Sequence, residues 1–197
     1  MKQYLALGDS YTIGEGVDYK NNFPNQLVDA LKNKRVDIRL NKMVATTGWT
    51  TQELLAAIDG DNFEPPYDFV TLLIGVNNQY RQKNTDGYAD SFEICLNKAL
   101  SFADNDPAKV LVVSIPDYGV TPFAKLDDIT SQQIDEYNII NKAIANKYNV
   151  AYADINPVSK SAKNDIGLLA EDQLHPSARQ YSDWVNIILP EALLLLE

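Results

Sequence analysis

Short continuous apolar runs alternate along this chain with segments in which apolar residues recur every three or four positions. The first run, Tyr4 to Leu7, predicts a strand buried on both faces, and it leads directly into Gly8-Asp9-Ser10. Pro24, placed for a first helical turn, is followed by Leu27, Val28 and Leu31, which predicts a helix from about Phe23 to Asn33. Val36 to Leu40 alternates apolar and polar positions, as an edge strand with one less covered face does. Thr50 and Glu53 have capping-box spacing ahead of Leu54, Leu55 and Ile58, so a second helix is predicted there. Phe69 to Ile74 is a continuous apolar run that predicts a central strand, ending at Gly75-Val76-Asn77-Asn78. Tyr88, Phe92, Cys95, Ala99 and Phe102 then recur at helical spacing, which puts Cys95 in the core. Val110 to Ile115 predicts the next buried strand, stopped by Pro116. Thr130 with Gln133 has the spacing of another helix start, continued by Ile134, Tyr137, Ile140, Ile144 and Tyr148. Val150 to Ala153 predicts the last strand, and Ala178, Tyr181, Val185 and Ile188 a final helix that Pro190 should end or kink near Leu189.

The order βαβαβαβαβα implies a doubly wound α/β domain with helices on both faces of a parallel sheet. Ligands of such sheets bind beyond the carboxyl ends of the strands, where the strand order reverses. The polar signals of this chain fall there: Gly8 to Ser10 after the first strand, Thr46 to Trp49 after the second, Gly75 to Asn78 after the third. With a strand order of 2-1-3-4-5, the ends of the first and third strands are neighbours, so Ser10 and Asn77 are expected to flank one crevice. Asp172 and His175 must reach it from the fifth strand, roughly 14 Å away at about 4.8 Å per strand. The segment between Asp154 and Asp172 is long enough to span that distance.

Composition narrows the classes. The 197 residues, 45% of them hydrophobic, suit a single domain over 1–197 with a sizeable core. Seventeen basic against 27 acidic residues give a net charge of −10, with no cationic cluster for phosphates, so nucleic acid and anionic membrane surfaces are not expected partners. One cysteine excludes an intramolecular disulfide, and one cysteine with one histidine leaves no basis for a zinc site; no metal and no cofactor are expected. The chain enters its first strand at once, without the longer apolar stretch of a secretory signal. The expectation is a cytoplasmic protein without stable membrane insertion, unless a signal segment has been removed; Leu196 and Glu197 read equally as vector-derived residues. Nothing in the pattern decides the oligomeric state.

A serine hydroxyl becomes a useful nucleophile when a base takes its proton, and histidine suits that task near neutral pH. The chain has one histidine, His175, and Asp172 lies three residues before it, a spacing at which a carboxylate can accept the imidazole N–H and fix its tautomer. The backbone N–H groups of Ser10 and Gly48 and the side-chain amide of Asn77 are candidate donors to an oxyanion. Each residue alone has an ordinary explanation: Asn77 as a turn cap, Gly48 as a positive-φ position, His175 as a surface residue before Pro176. Together at one crevice they spell a nucleophile, a base, an orienting acid and oxyanion donors.

These residues resemble the SGNH superfamily of GDSL-type hydrolases. Gly8-Asp9-Ser10 matches its first block, Gly48 the second, Gly75-Val76-Asn77 the third and Asp172-Gln173-Leu174-His175 the last. The resemblance implies a three-layer flavodoxin-like fold without a metal. It makes Ser10 the nucleophile, His175 the base, Asp172 its partner, and Ser10, Gly48 and Asn77 the oxyanion donors. Two positions depart from the family pattern: Tyr11 replaces the usual leucine after the serine and narrows the expected pocket, and Asn78 stands where an aspartate is common.

The superfamily spans carboxylesterases, thioesterases, lysophospholipases and carbohydrate O-deacetylases, and fold does not choose among them. Trp49, Tyr80, Tyr118 and Phe123, in the loops after strands two to four, are the expected substrate-facing residues. The expected function is a metal-independent serine ester hydrolase acting on a small-molecule ester. The alternatives are a carbohydrate O-acetyl esterase, a non-catalytic binding module, and a phosphate binder using Tyr11 to Gly16. The last lacks the Gly-Lys-Ser/Thr signature.

Overall fold

The computed structural model describes residues 1–197. Five parallel strands form one sheet in the order β2-β1-β3-β4-β5, with β1 at Lys2–Asp9, β2 at Ile38–Thr46, β3 at Phe69–Leu73, β4 at Val110–Val113 and β5 at Ala151–Ala153. The central strands are the continuous apolar runs: Tyr4, Leu5, Ala6 and Leu7 of β1 and Phe69, Val70 and Leu72 of β3 are wholly buried. Helices α2 (Phe23–Asn33) and α8 (Ala178–Leu196) pack together on one face. On the other lie α3 (Thr51–Asp59), α5 (Tyr88–Phe102) and α6 (Asp128–Lys147). Three shorter helices sit at the carboxyl end of the sheet: α1 (Ser10–Ile13) directly after β1, α4 (Val76–Gln82) after β3, and α7 (Asn156–Ser159) after β5. No helix is long and apolar enough to cross a membrane.

Local chemistry sets these boundaries. Asn22 caps α2 by accepting the Asn25 N–H at 3.0 Å, and Pro24 sits in the first turn, where a missing N–H costs nothing. At α3 the Thr50 N–H donates to the Glu53 carboxylate at 2.7 Å, as its capping-box spacing predicts. Cys95 is fully buried on the inner stripe of α5, in the core position its spacing predicts. Gly8 closes β1 where a Cβ would lie 2.1 Å from Thr12 Oγ1 and 2.6 Å from the Leu73 carbonyl, so only glycine lets the chain turn into α1 against β3.

Three predicted boundaries are corrected. The edge strand begins at Ile38, not Val36, and continues to Thr46, because pairing with β1 carries it past the polar Asn41 and Lys42 through a bulge opposite Tyr4 and Leu5. The Val36 N–H is instead used to close α2 on the Leu31 carbonyl. Helix α6 starts at Asp128, not at Thr130: Asp127 is the cap, accepting the Ile129 N–H at 3.1 Å and the Thr130 hydroxyl at 2.8 Å. Pro190 does not end α8, which runs on to Leu196. Burial of Ala192 and Leu196 on the core holds the segment beyond the proline in place, while Leu194 faces outward.

Candidate active site

The carboxyl end of β1 delivers Ser10 as the first residue of α1. Asp9, the cap of that turn, accepts the Tyr11 N–H at 3.0 Å. The loop before α8 brings His175 to the same place: the Ala170 N–H donates to the His175 carbonyl and the Ser177 N–H to the Leu168 carbonyl, each at 2.8 Å, so the loop is folded back on itself. Asp172 Oδ1 accepts the N–H groups of Leu174 and His175, both at 2.9 Å, which fixes the carboxylate beside the imidazole.

A continuous line follows. His175 Nδ1 lies 2.6 Å from Asp172 Oδ2, and His175 Nε2 lies 3.0 Å from Ser10 Oγ. A carboxylate can only accept, so it draws the imidazole proton to Nδ1 and leaves Nε2 free to accept from the serine. Burial acts to raise the Asp172 carboxyl, but hydrogen bonds from the His175 ring and from the His175 and Leu174 N–H groups outweigh it and hold the group below its ordinary value. The Tyr11 ring lies against the imidazole, centroids 4.9 Å apart, and limits its rotation.

Of the candidate oxyanion donors, Gly48 and Asn77 share with Ser10 and His175 the wall of one cleft of about 140 Å³. Gly48 has φ +81°, a left-handed conformation that glycine adopts without strain, and its N–H donates to no protein acceptor. Its carbonyl is held by Arg81 at 2.5 Å, and Arg81 also pairs with Glu53 at 2.9 Å. Asn77 Nδ2 donates to the Trp49 carbonyl at 3.0 Å and leans on Asp9 Oδ2 at 3.5 Å. Asn78 is buried and clips α4 to α3, accepting the Thr51 N–H at 3.0 Å and donating to the Thr51 hydroxyl at 2.8 Å.

Tyr80, Tyr118 and Phe123 line the cleft as the sequence predicts, with Tyr80 edge-on to Tyr118 at 6.1 Å and 6.4 Å from Phe123. Trp49 does not: its indole packs on the core, and only its carbonyl reaches the site. Thr47, Val76 and Leu174 complete the wall and were not among the predicted residues; nor was Arg81. Arg81 stands four residues after Asn77, one turn along α4, so a helix read from Val76 onward would place both on one face.

The model of the GDSL-like lipase/acylhydrolase family matches residues 6–182. The chain belongs to that family. It is an enzyme of the serine-esterase type, and its sheet order is that of the structures it resembles. Among solved structures it is similar to Axe2, an acetylxylan esterase from Geobacillus stearothermophilus, at 21% identity over 97% of this chain and 94% of that one, with a TM-score of 0.70. TesA is similar over 98% of this chain and 99% of its own at 18% identity, with a TM-score of 0.77. A member of the lipolytic G-D-S-L family from Veillonella parvula gives a TM-score of 0.68 at 18% identity, covering 97% of this chain and 96% of that one. No curated protein matches the chain in sequence.

Proposed function

We propose that this esterase works through an acyl-enzyme on Ser10, with His175 as general base and acid, Asp172 as its orienting partner, and no metal. What supports the reading is the unbroken line from Asp172 through His175 to Ser10 Oγ, at 2.6 and 3.0 Å, opening on a cleft lined by Gly48 and Asn77. Ser10 Oγ attacks the ester carbonyl carbon as its proton passes to His175 Nε2. The carbonyl π pair becomes an oxyanion, received by the N–H groups of Ser10 and Gly48 and by the Asn77 Nδ2 hydrogen that gives up its long 3.5 Å contact with Asp9. The intermediate collapses, His175 returns the proton to the departing alkoxide, and the alcohol leaves. Water repeats the sequence on the acyl-Ser10, giving the carboxylic acid and the free serine. Asp172 stays ionised throughout and stabilises the imidazolium.

The substrate class that fits best is a neutral carboxylic ester. A carbohydrate O-acetyl ester is the second reading, favoured by Tyr80 and Phe123: each is about half exposed at the cleft mouth, where an aromatic face suits a sugar ring. Axe2, which shares the fold, is an acetylxylan esterase.

A fluorophosphonate probe followed by peptide mapping tests the acyl-enzyme route. The expected result is stoichiometric modification of Ser10 that is lost in His175→Ala. Label on another residue, or a folded protein that hydrolyses esters and takes no label, contradicts it.

A further inference from the structure

The cleft has two unlike ends. Tyr80 and Phe123 at its mouth are 51% and 49% exposed, whereas Tyr11 and Tyr118 at its inner end are 3% and 6% exposed. A leaving group of any size must lie at the open mouth, which leaves the acyl group to the inner end. There Tyr11, Tyr118 and Leu174 line the cleft on one side and a second, smaller cavity of about 10 Å³ on the other. The three side chains are therefore a partition. Tyr11 is the least yielding of them: its ring is packed on His175 at 4.9 Å and on Trp184 at 6.4 Å, so it cannot swing aside without disturbing the imidazole.

We propose that Tyr11 is a specificity-determining residue, its ring closing the acyl end of the cleft and confining the enzyme to short, uncharged acyl groups, acetyl to about butyryl. The proposal rests on Ser10 being the nucleophile. At about 140 Å³ the cleft is well below the roughly 300 Å³ at which pockets for drug-sized ligands begin, which favours a small acyl group. The wall carries no lysine, arginine, aspartate or glutamate, so an acyl group bearing a carboxylate or phosphate meets no counter-ion there. The sequence marks the position as well, since tyrosine here replaces the leucine usual after the nucleophile of such enzymes. A longer acyl chain must either displace the ring or lie back along the mouth in competition with the leaving group.

The test is kcat/KM on p-nitrophenyl acetate, butyrate and hexanoate for the wild type, Tyr11→Phe, Tyr11→Leu and Tyr11→Ala, with each protein's fold checked by circular dichroism and its nucleophile by fluorophosphonate mapping. For the wild type, hexanoate should fall at least about tenfold below butyrate. Tyr11→Phe keeps the ring and should leave the hexanoate-to-acetate ratio within about twofold of wild type. Tyr11→Ala joins the cleft to the space behind it and should raise that ratio at least about tenfold, given about fourfold per newly buried methylene. Tyr11→Leu should fall between. A wild type that prefers hexanoate, or ratios that stay level across the folded variants while Ser10 still takes the label, would overturn the role of Tyr11 alone. Hydrolysis with no label on Ser10 would instead overturn the acyl-enzyme reading. Should both smaller variants fail to fold, a wild type that prefers hexanoate, or a Tyr11→Phe whose ratio departs from wild type by more than about twofold, still overturns the proposal.

Discussion

Asp9 is the one carboxyl buried completely beside Ser10. It caps the turn that presents Ser10 and lies 3.5 Å from the amide of Asn77. Burial, opposed only in part by the hydrogen bonds from the Tyr11 N–H and Asn77, pushes the carboxyl up to about 7. The folded state therefore keeps a proton that the unfolded chain releases near pH 4. Protons bound in excess by the native state make stability fall as pH rises, so this contribution is complete below about pH 4 and is lost through about pH 7. Asp9→Asn keeps an oxygen for the Tyr11 N–H and cannot ionise. Its Tm relative to wild type should climb between pH 5 and pH 8, by on the order of 5 °C. Parallel melting curves across that range would show that Asp9 ionises as freely folded as unfolded.

At the scale of elements, the site is held by the way α4 grips the loop between β2 and α3. Asn77 takes the Trp49 carbonyl, Asn78 the Thr51 N–H and hydroxyl, and Arg81 the Gly48 carbonyl, so one face of one short helix fixes consecutive peptides of that loop. Holding the Gly48 carbonyl constrains the φ +81° conformation and with it the direction of the free N–H. Arg81→Ala should lower kcat by about tenfold with KM nearly unchanged, less than the hundredfold or more expected when an oxyanion donor is deleted outright. Arg81→Lys should recover part of the loss. A variant with normal kcat and a raised KM would place Arg81 in substrate binding instead. This grip was illegible in the sequence, because it depends on a helix meeting a loop that lies about thirty residues before it. Elements with strong local signals were legible: α2 and α3 start where Pro24, Thr50 and Glu53 put them. Where tertiary contacts overrule local pattern, the reading failed. Pairing with β1 carries β2 across polar residues, Asp127 outcompetes Thr130 as a cap, and core burial carries α8 through Pro190.

Over the whole molecule, the first strand and the last loop meet: Ser10 and His175 are 165 residues apart in sequence and in hydrogen-bond contact in space. The parallel α/β sheet that permits this was legible from the alternation of apolar runs and helical stripes, its order only from likeness to flavodoxin-like folds, and the meeting of His175 with Ser10 from having a single histidine to place. The outline of the cleft was less so. Trp49 has the chemistry of a wall residue, yet its half-buried side chain packs against the core instead. Two residues that act as one unit give the sharpest test of the site: kcat for Ser10→Ala, His175→Ala and the double variant on one ester, with folding confirmed for each. Each single change should lower kcat at least about a thousandfold, and the double change little further, because either loss already abolishes attack by Ser10. Losses that multiply in the double variant would contradict a single acyl-transfer site built from these two side chains.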